Sequence, residues 1–245
     1  MAAAPVFQDF VVGWAAGRAA GSGRSGGAAS DDEGDDEDLQ TRLFELANAP
    51  AVTYRCRGGQ RVTIRQDREA KVHTGGIVWE TAFLLGLFLE HQPAFAPAAR
   101  ALEKKPHRVL EVGAGCGLLG VVLAAAGCDV VLTEHPIALP NLQHNVASCG
   151  AGVAERARVA QLNWCEAKDV RDVRDAQRAR GCPATFDTIV GTDVVFSEQL
   201  VAPLLRSVHA LAADHTTVWL CLQVRTRPAA DEPTTHATSC QRTRV

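Results

Sequence analysis

The chain has 245 residues, a net charge of −3 and 47% hydrophobic residues, enough for one domain with a sizeable core and tails but cramped for two. No basic run is dense enough to mark a nucleic-acid face, and no uninterrupted apolar stretch reaches the length of a membrane span. Eight cysteines are scattered singly with no C-x-x-C pair, which argues against a zinc site or a disulfide framework and for a reducing compartment, the cytoplasm first and the nucleus second.

Val6-Phe7-Gln8-Asp9-Phe10 is broken by a charge where a signal peptide needs an apolar run. Arg18 and Arg24 in an alanine-rich leader fit an organellar transit peptide, and Asp9 argues against one. Residues 14–39 are alanine, glycine and serine followed by the acidic run Asp31 to Asp38; they bury no core and read as a disordered, solvated tail. Order is expected from near Leu43, so residues 1–42 form the tail. Tyr54-Arg55-Cys56 and Arg61 to Gln66 are β-rich segments separated by Gly58-Gly59, an N-terminal hairpin leading into the main fold. Gly75 to Glu80 then open an apolar helix through Phe83, Leu84, Leu87, Phe88 and Leu89 that ends before Pro93. Trp79 at its start, taken alone, reads as a core anchor first and as part of a ligand pocket second.

The chain is organised around Val109 to Gly120. Val109 to Val112 read as a short buried strand, Gly113-Ala114-Gly115-Cys116-Gly117 as a tight turn, and Leu118 to Ala126 as a helix packed back on the strand. Glycines there let the backbone approach a ligand, and the free N–H groups of the helix start face it. Val130-Val131-Leu132 form a second strand ending in Thr133-Glu134, where a carboxylate accepts ribose hydroxyls. Together these predict a nucleoside-binding βαβ half. The glycine spacing does not separate two cofactor classes. Gly115-x-Gly117-x-x-Gly120 fits a dinucleotide fingerprint with Glu134 suited to NAD, and E-x-G-x-G-x-G from Glu111 fits S-adenosylmethionine. Glu111 favours the second, because a carboxylate on a buried strand needs a partner such as the cationic end of that cofactor, water or backbone N–H groups.

Beyond it, residues 136–149 read as a helix and Arg158 to Leu162 as a third strand ending in Asn163-Trp164. Residues 165–182 are a charged surface helix or loop. Phe186 to Gly191 form a fourth strand that runs into Thr192-Asp193-Val194-Val195-Phe196-Ser197. Ser197 is placed to cap the helix that carries Leu200, Leu204, Leu205, Val208 and Leu211. Thr217 to Val224 make a fifth strand. Strands alternating with helices predict an α/β fold, a mostly parallel sheet covered on both faces, with ligands at the carboxyl ends of the strands. Glu111, Glu134, Asn163 and Asp193 all fall at those ends.

Ile64-Arg65-Gln66-Asp67, Val78-Trp79-Glu80, Glu111 to Gly120, Leu162-Asn163-Trp164 and Gly191 to Phe196 occur in order, and as a set they resemble the family 16 seven-β-strand protein methyltransferases. The likeness covers roughly residues 52–225, within a predicted domain of residues 43–225. It implies a Rossmann-like class I methyltransferase fold, S-adenosylmethionine as cofactor, and a protein lysine as substrate, on a chaperone or translation factor. It further implies that Trp79 contacts the cofactor, against the core reading above. Gly113, Ala114 and Gly115 match the loop along its methionine part, Glu134 the ribose-binding acid, Trp164 the tryptophan beside the adenine, and Thr192 a small residue lining the pocket. Asn163 has an acid or hydroxyl counterpart in the family, and its amide suits the adenine edge. Asp193 and Phe196 match the (D/E)-x-x-(Y/F) signature bordering the substrate amine; a loop carboxylate and a core aromatic are the plainer readings of these two.

The chain departs from the family after Arg225. Thr226 to Val245 is polar and proline-bearing, reads as a disordered tail over residues 226–245, and leaves the last two strands of the family sheet apparently missing. A monomer with neither metal, nucleic-acid nor membrane partner is expected. Two further readings stay open: a cofactor-binding but catalytically weak interaction protein, and an NAD-linked oxidoreductase.

Overall fold

The computed structural model describes residues 48–69, 73–95, 106–225 and 236–244, and for residues 224, 225 and 236–244 the backbone alone. The acidic run, the transit-peptide reading and the expected start of order at Leu43 lie outside the described residues.

Strands β1 (Ala51–Arg55) and β2 (Arg61–Arg65) form an antiparallel hairpin. Every second residue is buried in each: Val52 and Tyr54 face inward opposite Ile64 and Val62, the alternation expected of a ribbon with one wet face. Helix α1 (Glu80–Glu90) follows, then β3 (Arg108–Val112), α2 (Leu118–Ala125), β4 (Asp129–Glu134), α3 (Leu139–Ala147), the short α4 (Ala151–Ala154), β5 (Ala157–Gln161), α5 (Ala167–Ala179), β6 (Thr188–Thr192), α6 (Glu198–Leu211), β7 (Thr217–Arg225) and β8 (His236–Arg244). The main sheet has the order β5-β4-β3-β6-β7-β8, parallel except for the last pair.

The sheet is buried on both faces, and successive residues of its strands feed two cores. Val109, Val130, Leu132 and Val190 pack with α1, α2 and the inner face of the hairpin. Leu110, Val112, Val131 and Ile189 pack with Val173 of α5 and Leu204, Val208 and Leu211 of α6. Such two-faced burial is why these strands read as near-continuous apolar runs. From β3 the chain steps outward to β4 and β5, then returns to lay β6 on the other side of β3. The order therefore reverses between β3 and β6, and a crevice opens at their carboxyl ends.

Two expectations are corrected. The sheet does not stop at the fifth strand, and residues 226–245 are not uniformly without regular structure: His236–Arg244 runs antiparallel along β7 from Arg225↔His236 to Thr217↔Arg244. This strand escapes pattern reading because His-Ala-Thr-Ser-Cys-Gln-Arg-Thr-Arg has no apolar alternation. The main sheet thus has six strands among the described residues. Ser197 sits at the N-cap position of α6 with extended backbone, but its side chain makes no capping hydrogen bond.

Candidate active site

Loops at the carboxyl ends of β3, β4, β5 and β6, with the segment entering α1, enclose a cavity of about 540 Å³, within the roughly 300–1,000 Å³ usual for small-molecule sites. Trp79, Gly113, Ala114, Gly115, Glu134, Asn163, Trp164, Thr192, Asp193 and Phe196 all line it. Residues from four strand ends and one helix start meet here although more than a hundred positions separate the first from the last.

Gly113 and Gly115 have φ of 63° and 54°, a left-handed backbone that side-chain-bearing residues avoid. A Cβ on Gly113 would come within 2.9 Å of Val194 Cγ1 and 3.3 Å of the Trp164 ring, so the loop lies directly against the wall of the cavity. Glu134 Oε2 accepts the Gly115 N–H at 2.7 Å, and its Oε1 accepts the His135 N–H at 2.7 Å. These bonds fix the carboxylate in the cavity wall while leaving lone pairs for a diol. Trp79 donates its indole N–H to the Thr74 carbonyl at 3.2 Å and faces the cavity, which decides against the core reading.

Asn163 is held from both sides. Its N–H donates to Asp169 Oδ2 at 2.8 Å, and its Oδ1 accepts the Cys165 N–H at 3.1 Å. Asp169, buried on α5, also accepts Gln161 Nε2, so it organises the β5 exit. Trp164 Nε1 and His73 Nδ1 are buried with no hydrogen-bond partner, and both residues line the cavity. Buried polar atoms are ordinarily satisfied, so two orphans at one cavity mark a place for a ligand's polar groups.

Asp193, at φ 51°, is the one non-glycine described residue with positive φ. Its Oδ2 accepts the Thr81 hydroxyl at 2.8 Å and its Oδ1 accepts the Gln223 N–H at 2.8 Å. Phe196 is 54% exposed, which excludes the core-aromatic reading and stands the ring at the cavity mouth. Ile137, also in the lining, is likewise exposed.

Glu111 is the exception among the predicted site residues. It is 1% exposed and is not among the cavity-lining residues; it shares the sheet face of Val109 and points under α2, where Oε2 accepts the Gly120 N–H at 2.9 Å. Burial pushes its pKa up to about 8, the Gly120 N–H opposes this, and the Glu134 charge adds to it. Gly120 is required at this crossing, because a Cβ there would collide with the Glu111 carboxyl and Leu132. The partner that Glu111 needs is thus a backbone N–H of the loop's own helix, and three rather than four strand-end polar residues reach the cavity.

Sequence reasoning missed His73, Ile137 and Leu200 in the lining, and Thr81, Asp169 and Gln223 behind it. No cluster of potential metal ligands occurs among the described residues. The glycine cradle, the anchored Glu134 carboxylate and the two orphaned ring nitrogens fit a nucleoside joined to a charged amino acid.

Known proteins resemble the chain over most of its length. The lysine methyltransferase family model matches residues 57–235. The mouse EEF1A lysine methyltransferase 3 is 27% identical over 192 residues, 78% of this chain and 74% of the relative. The Danio rerio protein N-lysine methyltransferase METTL21A is 30% identical over 166 residues, 67% of each chain. Among solved structures, a SAM-dependent methyltransferase from Agrobacterium tumefaciens is 20% identical, covers 75% of this chain and 55% of its own, and superimposes with a TM-score of 0.46.

Proposed function

We propose, for a chain that belongs to the lysine methyltransferase family, that the cavity below β3 and β6 holds the methyl donor and that its mouth, between Asp193 and Phe196, receives a lysine of a protein substrate. The enzyme is an S-adenosylmethionine-dependent protein-lysine methyltransferase. The oxidoreductase reading falls with the family assignment. The observation that carries the site assignment is the convergence of Glu134, Trp164 and Asp193 from three strand ends on one cavity.

S-adenosylmethionine, when bound, supplies a methyl group made electrophilic by its sulfonium. Gly113, Ala114 and Gly115 let the backbone approach its amino-acid end, Glu134 takes the ribose hydroxyls, and Asn163 and Trp164 flank the adenine. Trp79 and Thr192 close the remaining walls.

Methyl transfer needs an unprotonated amine in line, and little acid or base chemistry besides. A free lysine is neutral to about one part in a thousand near pH 7.4, a deficit of about 4 kcal/mol. Asp193 does not remove that deficit, because a carboxylate favours the charged amine. Its work is to draw in and orient the ammonium. The Phe196 ring and the walls of the slot then exclude water from the amine, and the resulting desolvation favours proton loss to solvent.

For the substrate, the mouse relative's name points to EEF1A, a translation factor, as the first protein to test. A cytoplasmic setting is part of the proposal, supported by the free thiols of Cys56, Cys116, Cys128, Cys149, Cys165, Cys182 and Cys221. The test is calorimetric titration with S-adenosylmethionine, with NAD as control, followed by tritium transfer from labelled cofactor to EEF1A and to a cell lysate. Saturable binding of S-adenosylmethionine alone is expected, with Asp193→Ala binding normally and transferring nothing. Full transfer by Asp193→Ala would sink the assignment.

A further inference from the structure

Asp193 does not hold its position by local backbone preference. Its φ of 51° is one that residues with a side chain adopt only when their surroundings impose it. The surroundings are three hydrogen bonds from two directions. On one side, β6 ends its ladder with β7 at Thr192↔Cys221, and the Asp193 N–H still donates to the Cys221 carbonyl at 2.9 Å. There the main chain turns away, and the side chain continues the ladder in its place, with Oδ1 accepting the next outward N–H of β7, that of Gln223. On the other side, the Thr81 hydroxyl donates to Oδ2 from the first turn of α1.

Thr81 has no exposed surface, although its neighbour Trp79 lines the cavity. In mid-helix a threonine hydroxyl has its own helix's carbonyls as acceptors. Here it sits too early in α1 for that, and its single proton goes to Asp193. The two ends of the carboxylate are thereby tied to two different elements, α1 and β7, and α1 is also the helix whose start carries Trp79.

We infer that Thr81 is a positioning residue for methyl transfer, whose hydroxyl clamps the Asp193 carboxylate against β7 and so sets the orientation in which the substrate ammonium is received. The inference rests on the proposed role of Asp193. It deepens that role by assigning the orientation to a residue that is not among those lining the cavity. Without the hydroxyl, one oxygen of Asp193 loses its partner, the left-handed backbone loses one of the three bonds that impose it, and the Gln223 bond weakens with it.

The test uses the full chain with Thr81→Val, which keeps shape and removes the hydroxyl, and Thr81→Ser, which restores it. The first readout needs no substrate: amide hydrogen exchange at Gln223, with Ile189 in mid-strand as the control. Thr81→Val is expected to speed exchange at Gln223 about tenfold while leaving Ile189 unchanged, and Thr81→Ser to return it to the wild-type rate. The second is tritium transfer to EEF1A, where Thr81→Val should lower kcat about 10- to 100-fold, the range for a hydrogen bond to a charged group. KM and calorimetric Kd for S-adenosylmethionine should stay at wild-type values, and Thr81→Ser should recover most of kcat. Wild-type exchange at Gln223 in Thr81→Val, or a Thr81→Ser as impaired as the valine variant, overturns the inference. Failure of the wild-type chain to methylate EEF1A would count against the proposed substrate alone, and the exchange measurement would still decide the role of Thr81.

Discussion

Two carboxylates near the glycine loop are separated by their surroundings. Glu134 stands in the cavity wall with two backbone N–H donors, and Glu111 is sealed under α2 with one. Glu111→Gln should therefore leave cofactor binding near normal, and Glu134→Ala should abolish it; calorimetry with S-adenosylmethionine distinguishes them. Glu111 should also carry a pH signature. Its carboxyl ionises near 4.5 in the unfolded chain and near 8 in the fold, so the folded state holds the extra proton between those values. Stability from this group is complete below pH 4.5, declines as pH rises, and is gone above about 8. Each tenfold difference in proton affinity is worth about 1.4 kcal/mol, so the decline amounts to a few kcal/mol. Glutamine cannot ionise and keeps an oxygen for the Gly120 N–H. Thermal melts should show Glu111→Gln gaining on the wild type from pH 5 to pH 8.5, and a pH-independent difference between the two would show that Glu111 is ionised in the fold.

The elements divide into those written in local pattern and those held by distant partners. The five parallel strands, the glycine loop and the helix after Ser197 follow from apolar runs and punctuation, and Glu134, Trp164 and Asp193 are legible as polar or aromatic residues where such runs stop. The direction of Glu111 is not legible, because it depends on which face of β3 is crossed by α2. Nor are the ties of the hairpin. Asn145 on α3 accepts the Arg65 N–H and donates to the Arg65 carbonyl, serving as one more ladder residue along the edge of β2. Gln66 donates to the Ala49 carbonyl and accepts the Val78 N–H at 2.5 Å, bracing the segment that presents Trp79. Glu90, buried at the end of α1, accepts the Tyr54 hydroxyl at 2.6 Å and the Arg57 N–H at 2.8 Å. In each case the partner lies far away in sequence. Tyr54→Phe leaves that buried carboxylate with one donor fewer and should cost about 1–3 kcal/mol in urea unfolding. Binding of S-adenosylmethionine should be retained, because the lost bond is not in the cavity wall. A variant as stable as the wild type would mean that the hairpin is held by its apolar face alone.

At the scale of the whole molecule, the sheet has two ends with different protection. At one end, β5 is short and leads into the loop braced by Asp169. At the other, β7 is the longest parallel strand, nine residues, and contains Val218, Trp219, Leu220, Cys221 and Leu222. An edge of that length and hydrophobicity is a template for pairing with other chains. β8 occupies it along its whole length, from Thr217 to Arg225. The polar sequence of β8 suits this task, since its backbone pairs with the β7 edge while its sequence holds Thr, Ser, Gln and Arg and no apolar run. Removal of residues 226–245 should therefore leave every cavity-lining residue in the chain and still yield a protein that associates with itself. Light scattering should show concentration-dependent assembly of the truncated chain, and its soluble fraction should bind S-adenosylmethionine. The truncation also bears on Asp193, because the Gln223 N–H that holds it belongs to the uncovered strand. Weakened methyl transfer in a soluble, cofactor-binding truncation would tie the substrate side of the site to the last strand of the sheet. A monodisperse and fully active one would show that β7 needs no cover.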